Sequence, residues 1–237
     1  MCTVTFIAKE PNDFILTSNR DEAIDRKTRL PEVYNENGIK MVYPKDEVAG
    51  GTWIGISERK RLVCLLNGGF VAHERKSTYR LSRGVIVKEL LAVKDGLNWI
   101  VDFDFTDIEP FTIIMIEWRE MLNLYELVWD GSKKHLKNMN VKTHIWSSSP
   151  LYTKRMKNIR EKWFSEFLEN RKPEPVKLFD FHLNTGIGNK DVDLQIDRGF
   201  LKTVSITQAT KNDDTIAMKY RDLKTGNEKE IDVDIFD

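Results

Sequence analysis

Cysteine is nearly missing from this 237-residue chain: only Cys2 and Cys64 are present. Two thiols cannot staple a secreted disulfide scaffold, and a Cys2–Cys64 bridge is not expected in a reducing compartment. Net charge is missing too. The 37 basic side chains match 37 acidic ones, which removes the global pull toward nucleic acid or an anionic membrane. Short basic runs such as Arg59-Lys60-Arg61 read as solvated surface. No apolar run approaches the ~20 residues of a membrane span. The opening Met-Cys-Thr-Val-Thr-Phe has neither the basic region nor the apolar core of a secretory signal. Histidine is scarce, and His73, His135, His144 and His182 stand at no metal-ligand spacing. Walker and dinucleotide glycine patterns are lacking as well. These absences lead us to expect a cytoplasmic protein with no integral membrane segment, no nucleic-acid partner, no metal and no cofactor.

What is present suits one domain over residues 1–237. Hydrophobic residues make up 41%, enough for a sizeable core, and no stretch reads as a linker. Thr3–Ala8 and Phe14–Ser18 alternate and are β-branched, so they predict strands joined by a turn around Pro11-Asn12. A charged loop is expected to about Pro44. Further strands are expected at Gly51–Ile56, Leu62–Leu66, Phe111–Trp118, Leu122–Trp129, Thr143–Trp146, Thr203–Thr210 and Thr215–Tyr220. Helical spacing marks Ser82–Val93 and Tyr152–Asn170, the second stopped by Pro173 and Pro175. The acidic tail is a candidate edge strand. Antiparallel strands, then helices, then strands again point to sheets covered by helices, an α+β arrangement.

The residues with most chemistry gather around Cys2. Removal of Met1, which a residue as small as cysteine permits, would put a thiol nucleophile and an α-amine base (pKa about 7.7–8.0) on one residue. If the first two strands form a hairpin whose opposed positions sum to 23, Cys2 faces Asp21 and Thr3 faces Arg20. The Asn19-Arg20-Asp21-Glu22 cluster then lies beside the chain start. Arg20 would stabilise a thiolate and orient a substrate oxygen, and Asp21 would hold the amine. After the Cys64 strand, Asn67-Gly68-Gly69 can offer an amide and a backbone N–H to an oxyanion. Ser147-Ser148-Ser149-Pro150 precedes the long helix and is a candidate for its cap.

Cys2, Asn19-Arg20-Asp21-Glu22, Gly51-Thr52-Trp53, Asn67-Gly68 and Ser82-Arg83-Gly84 together resemble the NRDE family, which includes transport and Golgi organisation proteins. The resemblance runs in order from Cys2 to about Phe164. That family in turn resembles the cysteine branch of the N-terminal-nucleophile (Ntn) hydrolases, with choloylglycine hydrolases and penicillin V acylases. The resemblance implies a four-layer αββα sandwich of two antiparallel sheets between helix layers, and cleavage of a linear amide through an acyl-thioester. Carried over by position, Cys2 is nucleophile and base, Arg20 and Asp21 are its charged partners, and Asn67 supplies the oxyanion contact. Asn19 and Ser148 fall at substrate-binding positions, with Ser148 standing where the acylases have an Asn. A Ser hydroxyl is shorter and donates one hydrogen bond. The expected ligand is a small-molecule amide. A rival expectation is a non-catalytic carrier or chaperone on the same fold, handling haem, lipid or another hydrophobic ligand or serving secretory-pathway organisation.

Overall fold

The computed structural model describes residues 2–9 and 11–233, residue 2 by its backbone alone. The chain forms two compact units, one holding the chain start through Arg26 together with Lys142–Asp232, the other holding Lys27–Val141. The chain opens in the first unit with β1 (Cys2–Lys9) and β2 (Asp13–Ala23). It then builds the second unit: β3 (Thr28–Glu36), β4 (Ile39–Asp46), β5 (Ile54–Ser57), β6 (Arg61–Asn67), α1 (Arg83–Ala92), α2 (Gly96–Asp102), β7 (Phe111–Trp118), β8 (Leu122–Trp129) and β9 (Lys134–Met139). It returns to the first unit with β10 (Thr143–Ser147), α3 (Lys154–Asn170), α4 (Pro175–Asn184), β11 (Leu201–Asn212), β12 (Thr215–Asp222) and β13 (Glu228–Asp232). Each unit is one antiparallel sheet with two helices. The sheet orders are β10-β1-β2-β11-β12-β13 and β3-β4-β5-β6-β7-β8-β9.

In the first unit the opening hairpin occupies the sheet interior, β1 between β10 and β2. Its register runs from Lys9 opposite Asp13 to Cys2 opposite Arg20, so opposed positions sum to 22, one less than expected. The reason is the connection between Lys9 and Asp13. It holds three residues, whereas a sum of 23 needs an even number. Strand β2 also continues through Asn19–Glu22 instead of ending at Ser18. The odd-numbered side chains of both strands meet α3 and α4: Ile7 and Ile15 pack with Phe164, Phe167, Leu178 and Phe181. Full burial of each such side chain contributes about 1.5–3 kcal/mol, and this cluster fixes which face of the hairpin the helices cover.

Helix α3 begins at Lys154, and its cap is Thr153, which accepts from the Met156 N–H at 3.3 Å. The serines at 147–149 therefore do not cap it. Pro175 does more than end the preceding helix. It opens α4, where its missing N–H costs nothing. The acidic tail supplies the edge strand β13.

In the second unit, two of the sequence motifs turn out to be one contact. A Cβ placed on Gly51 would lie 2.6 Å from the Gly84 carbonyl carbon, so only glycine lets the start of α1 cross the Gly51–Trp53 segment. Thr52 N–H donates to Gly84 O at 3.3 Å, and Ser82 caps the helix. This crossing explains why β5 starts at Ile54 and not at Gly51. The other end of α1 is held by Arg61, fully buried, which pairs with Glu117 at 2.6 Å and donates to Val93 O at 2.7 Å. The stretch expected as loop to Pro44 contains β3 and β4. Cys64 lies buried on β6. Among the described residues no helix is long and apolar enough to cross a membrane.

Candidate active site

The backbone register gathers two of the expected residues around position 2. Arg20 is its direct partner on β2. On the other side β10 pairs Ser147 with Thr3, so Ser148, one residue on, is level with position 2. Arg20 and Ser148 are both buried, and Arg20 lies 3.7 Å from Glu22. A guanidinium held away from water places fixed positive charge beside position 2, suited to an anion or a polarised oxygen.

Asn19 and Asp21 alternate with Arg20 and lead into the helix layer. Asn19 donates from Nδ2 to Leu194 O at 2.8 Å and to His182 O at 3.2 Å, while its Oδ1 accepts from His182 Nδ1 at 2.5 Å. That bond assigns the tautomer: Nδ1 carries the proton, and Nε2 accepts from Thr5 Oγ1 at 2.7 Å. Burial, reinforced by the positive charge of Arg160, pushes His182 down to about 3, so the imidazole is neutral. The Asn19 amide is thus engaged on both its atoms in binding β2 to α4 and the Leu194 segment.

Asp21 is fully buried and accepts from the Tyr152 hydroxyl and from Thr203 Oγ1, the latter at 2.6 Å. Burial raises its pKa, and the two hydroxyl donors and Arg160 oppose that rise. Burial also raises Tyr152, which therefore stays a donor. Arg160 closes the network from α3. It donates to Thr3 Oγ1 at 2.6 Å and Asp193 O at 2.7 Å, and its guanidinium lies 3.6 Å from the centre of the Tyr152 ring. Five elements or segments converge here: β1, β2, β11, the start of α3 and the 192–194 segment. Thr3, next to the candidate nucleophile, is one of the fixed points.

Asn67 belongs to the second unit. It ends β6 opposite Phe111 and is half-buried. The neighbouring Gly68 has φ 86°, in the left-handed region glycine favours, and its N–H donates to Pro110 O at 2.9 Å. That amide is committed to the fold, so the Gly68 N–H is not a donor for an oxyanion.

Sequence reasoning did not reach Tyr152, Arg160, His182 and Thr203. In the sequence His182 is one of four scattered histidines, with no spacing that singles it out. The one available signal was the position of Arg160, which falls on the same helical stripe as Phe164 and Phe167. Among the described residues no cluster of His, Cys, Asp and Glu has the form of a metal site.

Comparison with solved structures places the fold. The chain superimposes on penicillin V acylase from Agrobacterium tumefaciens with a TM-score of 0.59 and 10% identity, covering 98% of this chain and 86% of that one. A mutant conjugated bile acid hydrolase from Clostridium perfringens gives 0.60 and 9%, covering 99% and 93%. The Caenorhabditis elegans orthologue of N-acylethanolamine-hydrolyzing acid amidase gives 0.59 and 14%, covering 87% and 92%. The fold is therefore that of the Ntn hydrolases. Among curated sequences, the mouse Transport and Golgi organization 2 homolog is 31% identical over 112 residues, 42% of this chain and 38% of that protein. The human homolog is 35% identical over 78 residues, 28% of this chain and 27% of that protein. The matched stretches thus span well under half of these relatives' lengths. A family model covers far more, matching residues 1–221, and by that match the chain belongs to the Transport and Golgi organisation 2 family.

Proposed function

We propose that this chain is an Ntn-type cysteine amidohydrolase acting on a linear amide of a small molecule once Met1 is removed. The observation that carries the reading is the register of the opening hairpin, which sets Arg20 directly across from Cys2 on an interior strand of the sheet. The fold it shares with an acylase and an acid amidase supports the same reaction class. In this reading the Cys2 thiol attacks the amide carbonyl carbon as the free α-amine takes the thiol proton. The family resemblance assigns the tetrahedral oxyanion to the Asn67 amide. Collapse breaks the C–N bond, the proton passes to the leaving amine, and a thioester remains. Water, deprotonated by the same amine, then releases the acid and restores the thiol. Arg20 supplies fixed positive charge beside the nucleophile, and Ser148 gives a single hydroxyl contact to the substrate.

Intact-mass measurement of the purified protein, before and after incubation with a thiol-reactive amide or β-lactam probe, tests this. The expected result is a mass lacking Met1 and one adduct, lost in Cys2→Ala. A retained Met1, or a free Cys2 that stays unmodified, overturns the hydrolase and favours the non-catalytic carrier. The Ser148 position favours that second reading, since a longer amide with two donor hydrogens is replaced by a shorter hydroxyl with one. Saturable binding of haem or a hydrophobic ligand would then be its test.

A further inference from the structure

The base of the proposed reaction is the backbone nitrogen of Cys2. Cys2 pairs with Arg20 across an antiparallel ladder, so β1 leads at its start along β2 toward Asp21. Whatever engages the Asp21 carboxylate therefore bears on how readily that amine holds a proton.

Helix α3 is tied to both strands at this end of the ladder. On β1, Arg160 donates to Thr3 Oγ1 at 2.6 Å. On β2, the hydroxyl of Tyr152, just ahead of the helix, donates to Asp21 Oδ2. The two ties meet, because the Arg160 guanidinium lies 3.6 Å from the centre of the Tyr152 ring. Thr203 Oγ1 donates to the other carboxylate oxygen at 2.6 Å. Arg160 and Asp21 are both fully buried. Among the described residues Arg160 makes no ion pair, and its remaining donors go to the carbonyls of Val192 and Asp193. A buried guanidinium without a directly paired carboxylate is costly. Here its charge acts on Asp21 across the tyrosine ring and favours the ionised carboxylate.

A carboxylate beside an amine favours the ammonium and so makes the amine a poor base. Each donor and cation that the carboxylate already serves weakens that hold. On the reading of Cys2 as an N-terminal nucleophile, on which this rests, we propose that Tyr152 and Arg160 are positioning residues for its α-amine. By engaging Asp21 they limit its stabilisation of the ammonium, and the amine stays available as a base near neutral pH. The other charges at this end are Arg20 and Glu22 on β2, Lys202 opposite Glu22 on β11, and Lys157 on α3, 3.0 Å from Ser149 Oγ. Arg198, ahead of β11, lies 5.6 Å from the centre of the Tyr152 ring, and His182 on α4 is neutral. None of these is altered in the variants that follow.

The test uses protein released from a fusion by cleavage directly ahead of Cys2, so that the amine is free whatever processing occurs in cells. With two cysteines in the chain, carbon-13 labelling of cysteine gives only two Cα signals, and the shift of Cys2 Cα against pH reads the midpoint of the amine. Tyr152→Phe keeps the ring and drops the donor, and Arg160→Met drops the charge. Each should move the midpoint up by roughly 0.5–1 pH unit, and Asp21→Asn should move it down by a similar step. Arg160→Lys keeps the charge and should stay nearer the wild type than Arg160→Met. If Arg160→Met does not fold, Tyr152→Phe decides. A midpoint unmoved or lowered by Tyr152→Phe overturns the proposal, and so does an unmoved midpoint in Asp21→Asn. Acylation of Cys2 by an amide probe on the same sample judges the amidohydrolase reading separately. The predicted shifts without acylation would sink the enzyme and leave the role of Tyr152 and Arg160 standing.

Discussion

Acidification should act on this protein through His182. The ring is fully buried, donates to Asn19, accepts from Thr5, and is pushed down to about 3 from an ordinary value of 6.5. A depressed folded value means the unfolded chain binds the proton more readily. The stability held by the neutral ring is therefore complete above the unfolded value and is lost as pH falls from 6.5 toward 3. At pH 5 the unfolded ring is almost fully protonated and the folded one almost fully neutral, so the loss relative to pH 8 is about 2 kcal/mol. Asp21 opposes this trend, because its raised value makes the folded state gain as pH falls. A wild-type profile alone would mix the two. Comparison with His182→Asn separates them, since an Asn amide can still donate to Asn19 and does not titrate. Urea unfolding of both proteins at pH 8 and pH 5 should show the wild-type advantage shrinking by about 2 kcal/mol on acidification. Parallel profiles would refute the buried neutral imidazole, and so would an NMR titration of His182 with a midpoint near 6.5.

Asp21→Asn should gain on the wild type as pH rises from 4 to 8. The raised carboxyl stabilises the fold below the usual carboxylate range and loses that contribution as it ionises, which thermal midpoints at the two pH values would register. Arg160→Met keeps the volume but strips donors from Thr3, Val192 and Asp193. It should cost about 3 kcal/mol in urea unfolding, and a loss under about 1 kcal/mol would show these acceptors find other partners. Gly51→Ala forces a methyl onto the Gly84 backbone and should cost about 1–3 kcal/mol. Gly51 is not at positive φ, so its cost in thermal or urea unfolding measures the clash itself, and an unchanged stability would refute the close crossing.

Strands with a strong apolar alternation were legible in the sequence. The β7–β8 hairpin around Arg119-Glu120 and the β11–β12 hairpin around Asn212-Asp213-Asp214 follow directly from it. Strand β3 escaped because it is an edge strand, mostly exposed and interrupted by Pro31, so it carries little alternation. The same is true of β9, whose pattern is Lys-His-Leu-Lys-Asn-Met. Helix α4 was hidden by reading Pro175 only as a stop, although proline also begins helices. At the candidate site, the nearness of Asn19–Glu22 to the chain start was legible because a hairpin is local. The helix-side network was not. Asp21 meets Tyr152 across 131 positions and Asn19 meets His182 across 163, distances over which spacing carries no information.

The three-residue connection between Lys9 and Asp13 has a consequence for how this family can vary. Surface turns usually absorb insertions and deletions freely. Here one residue more or less would change the parity of the pairing and turn one strand over against the other. Asn19 and Asp21 would leave His182, Tyr152 and Thr203, and the guanidinium of Arg20 would be driven into the helix layer. The length of this turn is thus under the same constraint as a core side chain. Natural variants should differ in which residues fill it and should change its length only in steps of two.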